Sequence, residues 1–404
     1  MRILPVAFCL LVASATPLAA QGNGPGKMPR RPALPSGSDT CDAYAYYQLG
    51  MARVHDDPET AAAAFYWTHR LSPDAAVAYY AERIALLLAD RYVLSGYIED
   101  DRRTLQSADV RRIDSLEVRA LTLDPFFPQQ LDELLIVTYF TNRIHDDYRQ
   151  HGEEVSDLDV EFYVRSALRT LGPATSAWLA FGRGEYRQAA DYWAGEERHH
   201  RKDSDLRAWR ARALFLLGQP DSARVELDSA LAVARRSDAE KMKYVYDSKV
   251  LWEYEIGRID ELQGRDSAAR EAYQQALVED LSFYPAHSRL AYIAMRTVDT
   301  ATAVTELQRA IELKPDDYTA RLLLGTVLAA RHETGPATEQ LRRAAEAEPW
   351  VPQPHLVLGD ALRLAGDHDG AVTEYQRFVA LAARSHRDLA AVRQRLAELG
   401  APTP

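Results

Sequence analysis

The stretches "LQRAIELKPDDYTARLLLG" (Leu307–Gly325) and "LRRAAEAEPWVPQPHLVLG" (Leu341–Gly359) lie 34 residues apart and share a spacing but few letters. Each opens on Leu, carries Ala three residues on, reaches Pro at eight and closes on Leu-Gly. The set Gly325, Ala337, Leu341, Ala344 and Pro349 steps one unit back onto Ala291, Ala303, Leu307, Ala310 and Pro315. One unit forward it reaches Gly359, Ala371, Tyr375 and Phe378, and two units back Gly257, Ala269, Tyr273 and Ala276. Gly264 and Gly366 mark matching turns three units apart. So short a unit cannot bury its own apolar face, so units must stack, and the packed spacing outlasts the surface letters.

This framework resembles the tetratricopeptide repeat family, whose 34-residue unit is a helix–turn–helix. The resemblance implies an all-α fold, an α-solenoid of stacked helix–turn–helix repeats forming a superhelix. A small residue after Leu lets the second helix cross the first closely, and the proline ends the second helix by disfavouring helical geometry in the residue before it. The resemblance is most specific over 250–385, which reads as four repeats, with a capping helix and tail at 386–404. Upstream, Gly184, Ala189, Trp193 and Glu196 map by 34 onto Gly218, Ala223, Leu227 and Ala230. Residues 171–249 therefore read as further repeats, with a 12-residue insertion between Ala230 and Ala276 placed in lengthened helices. Leu49, Gly50, Ala62 and Tyr66 fit a unit ending near Pro73 with a one-residue slip, and "ALTLDPFF" (Ala120–Phe127) resembles another unit's close. Residues 41–170 are a divergent helical region, its apolar residues recurring at three- and four-residue steps.

The first twenty residues carry Arg2, an apolar run and small residues at Ala19 and Ala20, the layout of a secretory signal peptide cleaved after Ala20. An uncleaved anchor is the alternative, although Ser14, Thr16 and Pro17 dilute the run. Residues 21–40 hold four Gly, four Pro and two Ser without hydrophobic period, and read as a disordered linker. Removal of the leader leaves Cys41 as the one cysteine, so no intramolecular disulfide forms. The chain is expected to be exported, to the periplasm or beyond the cell, with no integral membrane segment once the signal is gone. Its net charge is −11, and residues 1–40 carry +3 of it, leaving −14 on the body. Phosphate binding needs a basic surface, so nucleic acid is excluded as a partner.

No nucleophile elbow, phosphate-cradling glycine loop or helical zinc motif is present. His332 and Glu333 lack a second His, and His199 and His200 point about 100° apart on a helix, a poor metal pair. "HDDP" at His55 reads as a cap, Asp57 accepting from the helix N-terminus with Pro58 in its first turn. Glu99, Asp100 and Asp101 read as a solvated loop, and Tyr44, Tyr46 and Tyr47 as packing residues. No cofactor or metal is implied.

These features point to an exported, non-enzymatic protein–protein interaction scaffold that holds a peptide or protein segment in its concave groove. The resemblance implies that the first helix of each pair lines that groove. The inward row then runs through Arg212 and Phe215, Tyr254 and Arg258, Ser288 and Tyr292, Leu322 and Thr326, and Leu356, Asp360 and Arg363. Arg212, Phe215, Tyr254, Arg258, Tyr292 and Arg363 are the candidate groove residues. The Lys and Asn with which family members clamp a C-terminal carboxylate are missing, and an acidic, aromatic-containing segment suits the row. Two alternatives stay open: a catalytic or small-ligand-binding region at 42–170 with the repeats as docking arm, and a cell-envelope assembly factor.

Overall fold

The computed structural model describes residues 28–98, 107–152, 154–168, 173–200, 203–240 and 248–402. The expected signal peptide and the acidic run Glu99–Asp101 lie outside them. Among the described residues there are twenty α-helices and no strand, an α-solenoid. No described helix is long and apolar enough to cross a membrane.

The N-terminal region comprises α1 (Ala43–Arg53), α2 (Pro58–Leu71), α3 (Ala76–Ala89), α4 (Arg91–Ile98), α5 (Ser107–Leu123), α6 (Asp132–Gln150) and α7 (Asp157–Leu168). Two helix pairs follow, α8 (Pro173–Gly182) with α9 (Tyr186–Glu197) and α10 (Ser204–Leu216) with α11 (Pro220–Glu240). The next two are α12 (Val250–Leu262) with α13 (Asp266–Glu279) and α14 (Tyr284–Arg296) with α15 (Thr300–Leu313). The last two are α16 (Tyr318–Ala330) with α17 (Thr334–Ala347) and α18 (Gln353–Leu364) with α19 (His368–Leu381), and α20 (Leu389–Glu398) closes the array.

The repeated letters sit where helices meet most closely. A Cβ added to Gly325 would lie 2.6 Å from Leu341, and one added to Gly359 would lie 2.7 Å from Tyr375. Ala269, Ala303, Ala337 and Ala371 are fully buried at the same crossings of the second helix. Burying a ring such as Phe378 contributes about 1.5–3 kcal/mol, which only a stacked neighbour makes available. The N-terminal unit repeats the device one residue early: a Cβ on Gly50 would meet Phe65 at 2.5 Å. Phe65, not Tyr66, fills the crossing; Tyr66 is half-buried. Two helices of the divergent region are long, 17 residues in α5 and 19 in α6, and in the downstream array α11 runs 21.

Among the described residues, the segment 39–126 meets 215–384, and the contacts run in opposite directions along the two. The Asp39 carboxylate accepts from the Arg384 amide at 2.6 Å. Further along, Trp67 meets Trp350 edge to face at 5.2 Å, and Arg70 pairs with Glu348 at 2.8 Å. Thr319 bonds Asp74 at 3.4 Å, and Arg119 donates to the Tyr284 hydroxyl at 2.9 Å. Tyr254 donates to the Thr122 carbonyl at 2.8 Å, and Phe126 stacks on Phe215 at 3.9 Å. From residue 39 to 126 the partner thus falls from 384 to 215. Leu251 of α12 packs on the core built from α2, α3 and α5.

Part of the stretch expected as a disordered linker belongs to this seam. Residues 28–40 form no helix and are exposed or half-buried, but Arg31 lies against the rings of Tyr46, Trp67 and Trp350. The reason is local chemistry: Pro29, Pro32 and Pro35 stiffen the chain, and the guanidinium finds aromatic faces.

Candidate protein-binding surface

The first helices of the array, α10, α12, α14, α16 and α18, carry the six side chains singled out from the sequence. Their positions divide the row in two. At its upstream end the chain covers its own surface. Arg212 is 4% exposed and reaches Glu255 with Nε and Nη2, at 3.0 and 2.6 Å. Its guanidinium also lies 4.4 Å from the Trp209 ring. Phe215 is stacked on Phe126. Tyr254 is 1% exposed, and burial pushes its hydroxyl up to about 12. These three were read as groove residues facing an external segment; the structure commits them to partners within the chain. For Phe215 and Tyr254 the cause is the C-terminal end of α5 and the turn after it, whose Thr122 carbonyl and Phe126 reach the upstream first helices from 132 and 89 residues away. Arg212 is taken up by Glu255 of the adjacent first helix.

Downstream the row is open to a different degree at each position. Arg258, Tyr292, Thr326 and Asp360 are equivalent positions at 34-residue steps. The Arg258 side chain is 12% exposed and lies 3.6 Å from Glu261. Glu261 is the hub of the cluster. It accepts from the Tyr273 hydroxyl at 2.6 Å and from Arg289 Nε at 2.8 Å. Tyr292 is 40% exposed, between Arg289, whose guanidinium carbon is 4.8 Å from the ring, and Arg296 at 5.6 Å. Arg296 in turn pairs with Asp266. Three guanidiniums therefore share the two carboxylates of Glu261 and Asp266 around a solvent-facing ring, with one positive charge left over.

Thr326 turns back to the Leu322 carbonyl at 2.8 Å and offers no free hydroxyl proton. At the far end, Asp360 accepts from Tyr375 at 2.6 Å and from Arg395 at 2.9 Å, while Arg363 is exposed. The sequence did not bring Arg289 and Arg296 to notice. They lie a helical turn either side of Tyr292, and that spacing was the available signal.

The remaining motifs are structural. Asp57 caps α2, its carboxylate accepting from the Thr60 amide at 3.1 Å. His332 sits in a left-handed turn at φ 60°, and His200 lies 3.9 Å from Glu196 on the surface. Tyr46 is buried and Tyr47 packs on the core, whereas Tyr44 is 62% exposed.

The fold is that of a helical-repeat scaffold, a stack of helix pairs in which each unit packs on its neighbours. Residues 288–337 and 322–386 each match the family model of the tetratricopeptide repeat, so 288–386 are tetratricopeptide repeats. No curated protein matches the chain. Among solved structures it is similar to YrrB, described as a TPR protein with an unusual peptide-binding site: 19% identity, covering 52% of this chain and 100% of that one, TM-score 0.41. It is also similar to residues 41 to the end of MamA from Desulfovibrio magneticus RS-1, at 18% identity over 44% of this chain and 94% of that one, TM-score 0.38.

Proposed function

We propose that this chain is an exported, non-catalytic scaffold that holds an extended, acidic and aromatic-containing segment of a partner protein along its downstream first helices. The observation that carries the reading is Tyr292, held 40% exposed between two guanidiniums in a cluster with surplus positive charge. A carboxylate beside it would gain charge-assisted hydrogen bonds, and an aromatic side chain would gain a ring contact at small entropy cost. Export rests on the leader-like first twenty residues.

Crosslinking mass spectrometry in the native host supplies the partner, and a titration then tests the surface. Arg258→Ala combined with Tyr292→Ala should weaken capture at least tenfold, about 1.4 kcal/mol, and wild-type binding should weaken with added salt. Undiminished affinity in the double variant would place the partner elsewhere. N-terminal sequencing of the secreted chain should begin at Gln21, and an intact Met1 in the cytosol would refute export.

A further inference from the structure

Arg31 lies where three aromatic side chains from distant parts of the chain converge. Its guanidinium carbon is 4.6 Å from the Trp67 ring of α2, 5.2 Å from Tyr46 of α1 and 5.8 Å from Trp350, which precedes α18. Trp67 also donates its indole N–H to the Pro29 carbonyl at 3.2 Å, which sets the register of the incoming segment. Nη2 donates to the Thr40 carbonyl at 2.6 Å, and Nε is buried without an acceptor. Beyond that bond the guanidinium lies against three rings, which suits its planar shape better than an ammonium.

The segment that delivers it has the character of a short ligand. Pro29, Pro32 and Pro35 restrict it, a turn follows in which the Ser38 amide donates to the Pro35 carbonyl at 3.1 Å, and Ala33, Pro35, Ser36 and Gly37 are exposed. Beyond the cage its polar ties to the array are the Arg384 amide on Asp39 at 2.6 Å and the Cys41 thiol 3.8 Å from the Ala380 carbonyl. Proline-fixed chains lose little entropy on docking, and aromatic-lined surfaces recognise proline-rich segments.

We propose that the Tyr46–Trp67–Trp350 cage is a guanidinium-binding site, filled in cis by Arg31 and able to take, in trans, an arginine carried on a proline-flanked peptide. Because Trp67 and Trp350 come from the two ends of the array, whatever occupies the cage also joins those ends. This site is separate from the Tyr292 surface, and of opposite preference, since it takes a cation. Tethering gives Arg31 an effective concentration on the order of millimolar, so an incoming peptide competes poorly with the intact strap.

The test uses full-length chain and a fluorescently labelled synthetic peptide of residues 28–42, followed by anisotropy. Arg31→Ala in the chain should bind the peptide at least tenfold more tightly than wild type. Binding should be lost when the peptide itself carries Arg31→Ala, or when the chain also carries Trp350→Ala. Equal affinity of wild type and Arg31→Ala, with the variant folded by circular dichroism, overturns the proposal, as does equal binding of the peptide lacking the arginine. Should Arg31→Ala fail to fold, wild type decides: millimolar peptide should speed hydrogen exchange at 38–42, and no change overturns the proposal.

Discussion

Val298 and His332 hold φ at 60° in the turn between the helices of their pairs, the place taken by Gly184, Gly218, Gly264 and Gly366 in the others. The left-handed region costs a residue with a Cβ about 1–2 kcal/mol, and a β-branched one most of all. Val298 is 80% exposed, so no packing offsets that strain. Val298→Gly should therefore stabilise the chain by about 1 kcal/mol, read as a higher urea midpoint with unchanged slope; a lower midpoint would contradict the turn assignment. Asp132 illustrates a cost of another kind. Burial pushes its carboxyl up to about 7, against the pull of the Tyr80 hydroxyl bond and of Arg83. Burial likewise pushes Glu348 up to about 7, opposed first by Arg70. A folded value above the unfolded one means stabilisation that is complete below the unfolded value near 3.8 and is lost as pH rises through about 7. Across that window each such group removes up to about 1.4 kcal/mol per pH unit. Asp132→Asn keeps an acceptor for Tyr80 and should flatten the fall in unfolding free energy between the unfolded value near 3.8 and about 7. An unchanged slope would show that Asp132 is not the source.

At the scale of the helix pair, the close crossing is the element that the 34-residue spacing keeps. Ala337 is fully buried against α16, with Gly325 and Leu341 beside it. Ala337→Leu should overpack the crossing and cost about 1–3 kcal/mol. Each pair touches mainly its neighbours, so hydrogen exchange should rise first across 318–385. The seam adds 58–76, which Glu348 and Thr319 contact, to the segments that loosen before 184–230. A uniform rise along the chain would argue against stacked units. These crossings were legible in sequence because only small residues fit them, so the letter itself recurs. The polar rungs of the same pairs were not. His287 with Glu306 at 2.6 Å, Arg321 with Gln340 at 2.8 Å and His355 with Glu374 at 2.6 Å keep the 34-residue step. Their letters change, since several donor–acceptor pairs satisfy one geometry. The slip from Tyr66 to Phe65 went unread for a related reason: adjacent aromatics both suit the spacing, and only the turn before α2 decides which faces Gly50.

For the whole molecule the decisive feature is that its ends meet, and no period in the sequence announces a contact such as Asp39 with Arg384 across 345 residues. That closure is why Phe215 and Tyr254, placed correctly on first helices, are packed against the chain itself, whereas Arg212 is held by Glu255 of the next pair. It also changes how the array should unfold. An open solenoid frays from its ends, because each repeat is supported only by its neighbours. Here α1–α3 are supported by α16–α19, so both ends should lose protection together. Arg119 is the polar centre of the seam: Nη1 donates to Tyr284 and lies 3.4 Å from Asp317, which is 3% exposed and caps α16. Asp74, its carboxyl raised by burial and lowered by Arg119, faces the same charge. Arg119→Leu leaves both carboxylates without that cation and should cost about 3 kcal/mol. Followed by hydrogen exchange in increasing urea, wild type should lose 43–89 and 318–381 in one step. Arg119→Leu should split that step, with 43–89 opening first while 318–381 stays protected by its own repeat packing. Separate losses in wild type would mean that the two ends touch without supporting each other.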